Sequence, residues 1–128
     1  MEDFNTQQKY FKSTYLKTAI KKKVQNAEQF IKLRRAFVSN YAVLSVGSYI
    51  LGVGDRHLDN FLFDSTNGNI IPIDFGYSFG IGLGLTIPEL MPFRLTQNFL
   101  ELIYPLGIEG ILRNSMIFAL KTLRQIDI

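Results

Sequence analysis

From Ser39 to Gly54 the chain carries no charged side chain. A segment with no ionic group on any face must be buried on all sides or cross a membrane. This one falls short of the roughly 20 apolar residues a membrane span needs, so the expectation is burial inside protein. The residues ahead of it set its geometry. Phe30, Leu33, Phe37, Tyr41, Leu44 and Leu51 recur at helical spacing. Asn26 is placed to cap a helix, with Gln29 three residues on to bond back to it. Gly52 and Gly54 end it. The sequence predicts one long helix over about 27–52 whose second half is deeply buried.

The other segments are shorter. Residues 7 to about 24 are polar and helix-compatible. Phe61-Leu62-Phe63 and Ile70-Ile71-Pro72-Ile73 are apolar runs flanking Asp64 to Asn69, and the Asn67-Gly68 pair favours positive φ, so 61–74 reads as a β-hairpin. Pro72 must sit where no ladder N–H is needed. Asp74 to Pro92 contains Gly76, Gly80, Gly82 and Gly84 and shows no periodicity; a loop of that length in a compact domain is functional or disordered. Helices are expected over about 96–103 and 108–126, separated by Pro105 and Gly107. The fold class is mainly α with a small β-hairpin, in one unit without repeats or linkers. A two-stranded hairpin is marginal alone, so it needs the helices around it.

Cysteine is absent, which excludes a disulfide framework and thiolate metal sites and fits a reducing compartment. The start, Met-Glu-Asp-Phe-Asn, lacks the apolar run of a signal peptide; a soluble, intracellular protein with no membrane partner is expected. Residues 1–36 hold nine Lys/Arg against three Asp/Glu, whereas 37–128 hold five against eight. The basic part is suited to nucleic acid or an acidic partner. A solvated helix face is the simpler reading, because no aromatic residues alternate with Lys21-Lys22-Lys23 as a base-stacking surface requires.

The chemistry lies in Gly54-Asp55-Arg56-His57-Leu58-Asp59-Asn60 and in Asp74-Phe75-Gly76. Phosphoryl transfer from a nucleoside triphosphate needs a carboxylate beside the attacking hydroxyl and oxygen ligands that hold Mg²⁺ against the phosphates. Protein kinases place an Asn five residues after that carboxylate and an Asp-Phe-Gly on the far strand of a hairpin. Asp55 and Asn60 have that spacing, and Asp74 follows where a hairpin would return it beside Asn60. A lone histidine in a soluble domain is usually structural; within Asp55-Arg56-His57 a catalytic role is the better reading. Arg56 is expected to form a structural ion pair with a loop carboxylate rather than to bind phosphate, and Asp59 is given no role. Gly80-Ile81-Gly82-Leu83-Gly84 lacks the strand and helix of a phosphate-cradling loop, so its glycines are read as giving the long loop freedom.

The order Asp-Arg-His, inverted from the usual kinase His-Arg-Asp, resembles the phosphatidylinositol 3-kinase and related-kinase superfamily. The resemblance extends over Phe30 to Asn60, Ile73 to Phe79 and Pro88 to Thr96. It implies an incomplete C-terminal lobe of a PI3K/PI4K-type catalytic domain spanning 1–128, with a catalytic loop at 54–60 and an activation loop at 74–96. By that resemblance Asp55 orients the substrate hydroxyl and can accept its proton, and His57 stabilises charge on the transferring phosphoryl group. Asn60 and Asp74 become the ligands of Mg²⁺, with Mn²⁺ as an alternative, and Leu62 and Ile73 pack under the adenine of ATP. Phe75, Gly76, Pro88, Glu89, Pro92, Phe93 and Arg94 belong to the activation loop that presents the protein substrate.

Lipid-phosphorylating relatives carry Lys/Arg in that loop to hold an anionic head group. Here Asp74 to Phe93 has none and Arg94 is the first, so a phosphoinositide finds no charge partner. A Ser/Thr protein kinase is favoured over a lipid kinase. Ser48 to Gly54, Pro88 to Thr96 and the tail around Ser115-Met116 and Ala119-Leu120 sharpen the resemblance toward the branch acting in DNA double-strand-break repair by non-homologous end joining. That implies substrates with Ser or Thr followed by Gln, the DNA-end-bound Ku heterodimer as partner, and a nuclear location. A kinase N-terminal lobe supplies a phosphate-covering loop and a strand Lys paired to a helix Glu, and nothing here matches either. The chain is therefore expected to act only with the rest of the kinase chain and to be inactive alone. The alternative is a truncated, non-catalytic interaction module. Isolated, it should expose large apolar patches and aggregate.

Overall fold

The computed structural model describes residues 12–87 and 91–125. Helix α1 spans Tyr15–Lys23 and α2 spans Ala27–Leu51; the expected start of α1 before residue 12 lies outside the described residues. Asn26 starts α2 as the sequence predicts, its Oδ1 accepting the Gln29 amide at 2.8 Å. The Gln29 side chain reaches one residue further back than expected and accepts the Gln25 amide at 2.8 Å. Together they satisfy two orphan N–H groups at the helix start. Gly52 closes α2 in the left-handed region at φ 56, where a Cβ would be disfavoured.

Strands β1 (Phe61–Phe63) and β2 (Ile70–Pro72) pair antiparallel, with Leu62 opposite Ile71. Of the turn pair only Gly68 takes positive φ, at 84. Asn67 instead accepts the Asn69 amide on its Oδ1 at 2.9 Å, and the connection is a six-residue loop closed between Asp64 and Asn69. Pro72 lies at the open end, and the next ladder donor is Ile73, whose N–H reaches the Asn60 carbonyl at 3.0 Å. Helix α3 spans Gln97–Ile103, with the Thr96 hydroxyl accepting the Phe99 amide. The expected helix over 108–126 is divided. Gly110 adopts a non-helical ψ of −126, so a wide turn over Ile108–Leu112 precedes α4, Arg113–Arg124. Its expected last residue, Ile126, lies outside the described residues.

The core sits on one side of α2. Phe37 stacks on Tyr41 and meets Phe63 and Phe99 edge to face, and Leu33, Val38, Ala42, Ile70, Leu102, Ile103 and Leu112 fill in around them. The hairpin is fastened to α2 by the Ile70 amide, which donates to Asn40 Oδ1 at 2.7 Å. Helix α1 joins through the Leu16 amide, which donates to Asn98 Oδ1. The uncharged half of α2 is not buried all round. Val43, Tyr49, Ile50 and Leu51 are each at least half exposed, because α3, α4 and the hairpin cover one face and nothing among the described residues covers the other. Among the described residues no helix is long and apolar enough to cross a membrane.

Candidate active site

The chain leaving α2 is locked to the long loop by backbone alone. Gly54 donates to the Tyr77 carbonyl at 2.6 Å, Phe79 to that of Leu51 at 2.8 Å and Gly80 to that of Gly52 at 3.0 Å. This approach requires glycine. A Cβ on Gly52 would lie 2.9 Å from the Gly80 nitrogen, and one on Gly54 would lie 3.1 Å from the Gly82 Cα. The reading of the loop glycines as a source of freedom is corrected for Gly80 and Gly82. Gly82 is buried in a turn over Ile81–Gly84 and packs close to Gly54, whereas Gly80 takes a φ of 81 where a side chain would be strained, with nothing within 4 Å of its Cβ.

Asp55 follows at φ 53, and Asp74 sits at φ 56. Each places a non-glycine residue in the left-handed region, at a cost of about 1–2 kcal/mol. Such outliers persist only where the surroundings over-determine them, and they gather at functional sites. Asn60 ends a single helical turn over Leu58–Asn60 and is buried. Its amide nitrogen donates to the Asp55 carbonyl at 2.7 Å and approaches Asp55 Oδ2 at 3.5 Å. That leaves its amide oxygen open to a ligand. The Ile73–Asn60 backbone bond carries Asp74 to the same end of the hairpin, where its carboxylate accepts the Gly76 amide at 3.2 Å. The structure thus brings Asp55, Asn60 and Asp74 together.

His57 lies between two carboxylates, with Nε2 3.7 Å from Asp55 Oδ1 and Nδ1 3.8 Å from Asp59 Oδ2. Both are longer than hydrogen bonds. Asp59, given no role from sequence, therefore faces the imidazole; its spacing two residues from His57 is the only signal that could have shown it. Strand alternation puts Asn60, Leu62, Ile71 and Ile73 on one face of the hairpin. Its three apolar members are exposed while Phe63 and Ile70 pack on the core. An open apolar face beside the side-chain oxygens of Asn60 and Asp74 is suited to a flat heterocycle joined to phosphates. Pro92 lines a small cleft of about 180 Å³ with Tyr49, Gly54, Gly80 and Leu83, and the Arg94 carbonyl accepts the Tyr41 hydroxyl at 2.5 Å. Phe93 is half-buried; Pro88 and Glu89 lie outside the described residues.

Arg56 corrects the sequence reading most. It is only 1% exposed and, among the described residues, makes no ion pair with a loop carboxylate. Among the described residues its guanidinium donates to backbone carbonyls: Gly54 at 2.8 Å, Ile73 at 3.1 Å and Asp74. Its plane lies against the rings of Phe61 and Phe75. No pattern in the sequence distinguishes carbonyl acceptors from carboxylates, so this placement was not legible there. Among the described residues no group of three or more His, Cys, Asp or Glu is placed to hold a metal. An Asn and an Asp with hard oxygens match a different arrangement, in which Mg²⁺ takes one or two protein ligands and completes its shell with substrate phosphates and water.

The profile of the family described as phosphatidylinositol 3- and 4-kinase matches residues 1–127. The DNA-dependent protein kinase catalytic subunit of Mus musculus is 43% identical over 110 residues, covering 85% of this chain and 3% of that protein. The protein of the same name from Dictyostelium discoideum is 45% identical over 98 residues, covering 76% and 2%. The serine/threonine-protein kinase tel1 of Schizosaccharomyces pombe is 41% identical over 97 residues, covering 76% and 3%. The solved FAT and kinase domain of CtTel1 superposes with a TM-score of 0.81 at 31% identity, over 89% of this chain and 8% of that one. The chain thus spans a few per cent of the length of these relatives. A two-stranded antiparallel sheet among helices, the Asp55-Arg56-His57 order and the match over residues 1–127 agree: the chain belongs to the phosphatidylinositol 3- and 4-kinase family.

Proposed function

We propose that this chain is the catalytic and metal-binding half of an ATP-dependent serine/threonine protein kinase, acting with the remainder of a kinase chain. The observation that carries this is the assembly of Asp55, Asn60 and Asp74 at the open end of one hairpin, held by the Asn60–Asp55 bonds and the Ile73–Asn60 pairing. Asp55 orients the substrate hydroxyl and takes its proton, and His57, 3.7 Å from that carboxylate, steadies charge on the phosphoryl oxygens. The Asn60 amide oxygen and the Asp74 carboxylate hold Mg²⁺ or Mn²⁺. When bound, the ion neutralises charge on the β- and γ-phosphates of ATP. Leu62 and Ile73 take the adenine on the exposed hairpin face. Phe75, Gly76, Pro92, Phe93 and Arg94, with Pro88 and Glu89, form the loop that meets the substrate.

The likeness to DNA-dependent protein kinase catalytic subunits supports a finer reading: a nuclear enzyme of DNA double-strand-break repair by end joining, recruited through the DNA-end-bound Ku heterodimer. Its substrate would be Ser or Thr followed by Gln. The absence of Lys and Arg from Asp74 to Phe93 supports a protein over a lipid substrate. The test is γ-phosphate transfer by the protein expressed from its own gene, offered a Ser-Gln peptide, the same peptide with Ala for Ser, and phosphoinositide vesicles. Labelling of the Ser-Gln peptide alone is expected; labelling of the vesicles in preference would overturn the substrate class.

A further inference from the structure

We infer that Arg56 is a positioning residue that sets the distance between the catalytic carboxylate and the metal ligands, rather than a packing element of the core. The inference rests on the kinase reading of Asp55 and Asp74. A buried cation is normally paired with a carboxylate, because desolvation without a partner is costly. Arg56 is buried and spends its donors on the carbonyls of Gly54, Ile73 and Asp74. If stability were its only service, an apolar side chain of equal volume would fill the space without that cost.

Its acceptors show what it does instead. Gly54 directly precedes Asp55, and Ile73 and Asp74 are the last residues before Phe75-Gly76. One guanidinium therefore joins the backbone of the catalytic loop to the backbone of the metal carboxylate across the mouth of the hairpin. Both aspartates stand at positive φ, so each needs outside contacts to stay there. The guanidinium provides them for Asp74 directly and for Asp55 through its neighbour. Phe61 and Phe75 lie on it with centroids 5.8 and 5.5 Å from Cζ and hold the fork in plane. Only arginine offers donors in such a fixed fork; a lysine is a point charge that cannot reach three separated carbonyls. The carbonyls carry no sequence requirement of their own, so this three-carbonyl joint, beside the Asn60 bonds, depends on the one side chain.

The test uses the protein expressed from its own gene, as wild type, Arg56→Lys and Phe61→Leu. Mn²⁺ affinity is read by electron paramagnetic resonance with a non-hydrolysable ATP analogue, kcat and peptide KM by γ-phosphate transfer, and the folded fraction by thermal melting. Arg56→Lys is expected to weaken Mn²⁺ binding and lower kcat by about tenfold or more, as loss of a ligand-orienting contact does, with peptide KM within about twofold. Phe61→Leu should shift Mn²⁺ affinity in the same direction by less. Folded Arg56→Lys with Mn²⁺ affinity and kcat both within about twofold of wild type overturns the assignment. So does a rate loss that follows the folded fraction alone. Where Arg56→Lys does not fold, unchanged Mn²⁺ affinity in Phe61→Leu overturns it. Wild type that binds Mn²⁺ and nucleotide but transfers no phosphate overturns the kinase reading instead, and the Mn²⁺ titrations still decide the role of Arg56.

Discussion

Replacing Gly68 by alanine should detach the hairpin from α2. A Cβ there would lie 2.4 Å from the Leu33 carbonyl oxygen and 3.1 Å from its carbonyl carbon. These are backbone atoms in the middle of a helix and cannot yield. The φ of 84 adds a left-handed penalty of about 1 kcal/mol for a residue with a Cβ. Relief requires the turn to lift away, which threatens two contacts. The Ile70–Asn40 hydrogen bond at 2.7 Å is worth about 1 kcal/mol. Burial of Ile70, now 4% exposed, is worth about 2 kcal/mol. The expected loss is about 3–4 kcal/mol, a large part of the 5–15 kcal/mol that keeps a domain folded. Gly84→Ala is the control, since nothing lies within 4 Å of its Cβ and its φ is not positive; it should cost less than about 0.5 kcal/mol. Protease susceptibility of the chain displayed singly on a cell surface measures both without interference from self-association. Equal resistance of the two variants would refute the claim that close approach at Gly68 fixes the hairpin on α2.

Burial raises the Tyr41 hydroxyl above its usual pKa, partly offset by the nearby Ser45 side chain. The folded state then holds that proton more tightly than the unfolded chain, so this stabilisation is whole below about pH 10 and is lost as pH climbs through the folded value. Tyr41→Phe should cost about 1 kcal/mol at neutral pH and flatten the alkaline fall in urea-unfolding midpoint; an unchanged alkaline limb would count against the assignment. Asn26→Ala removes the Oδ1 acceptor of the Gln29 amide and should lower stability by about 1 kcal/mol, with amide exchange rising first at residues 28–30. The chain purified alone should elute in size-exclusion chromatography as associated species, because Tyr49, Ile50, Leu51, Phe79, Ile81, Leu83 and Met91 are all at least half exposed. A monomer with a sharp unfolding transition would contradict that.

The parts of the fold that were legible in sequence are those fixed by near neighbours. Asn26 and Gly52 bound α2 through contacts within a few residues, and Asp64–Asn69 announces its turn by composition. The nearness of Asp55, Asn60 and Asp74 was legible for a similar reason, since the spacing from Asp55 to Asn60 and the return to Asp74 across a short hairpin leave few arrangements open. What escaped depends on partners distant in sequence. An uncharged helix face shows that cover is wanted, not whether the cover is present, so Tyr49 to Leu51 were expected inside and lie outside. The closeness of Gly52 and Gly54 to Gly80 and Gly82 is set by backbone across 28 positions, and a glycine read alone looks like freedom. Arg56 escapes the sequence because its acceptors are carbonyls, which every residue carries.

Phosphoryl transfer is proposed to depend on the carboxylates of Asp55 and Asp74. Its most direct measurement is the rate of γ-phosphate transfer to a Ser-Gln peptide by the protein expressed from its own gene, compared with Asp55→Asn and Asp74→Asn. Both variants conserve volume and remove only charge. A proton-accepting carboxylate contributes about 10²–10⁴-fold and an electrostatic contact to the transition state about 10²–10³-fold. Losses of at least about 10²-fold are expected in each variant, with melting temperatures close to wild type. Either variant retaining a rate within about tenfold of wild type would contradict that dependence.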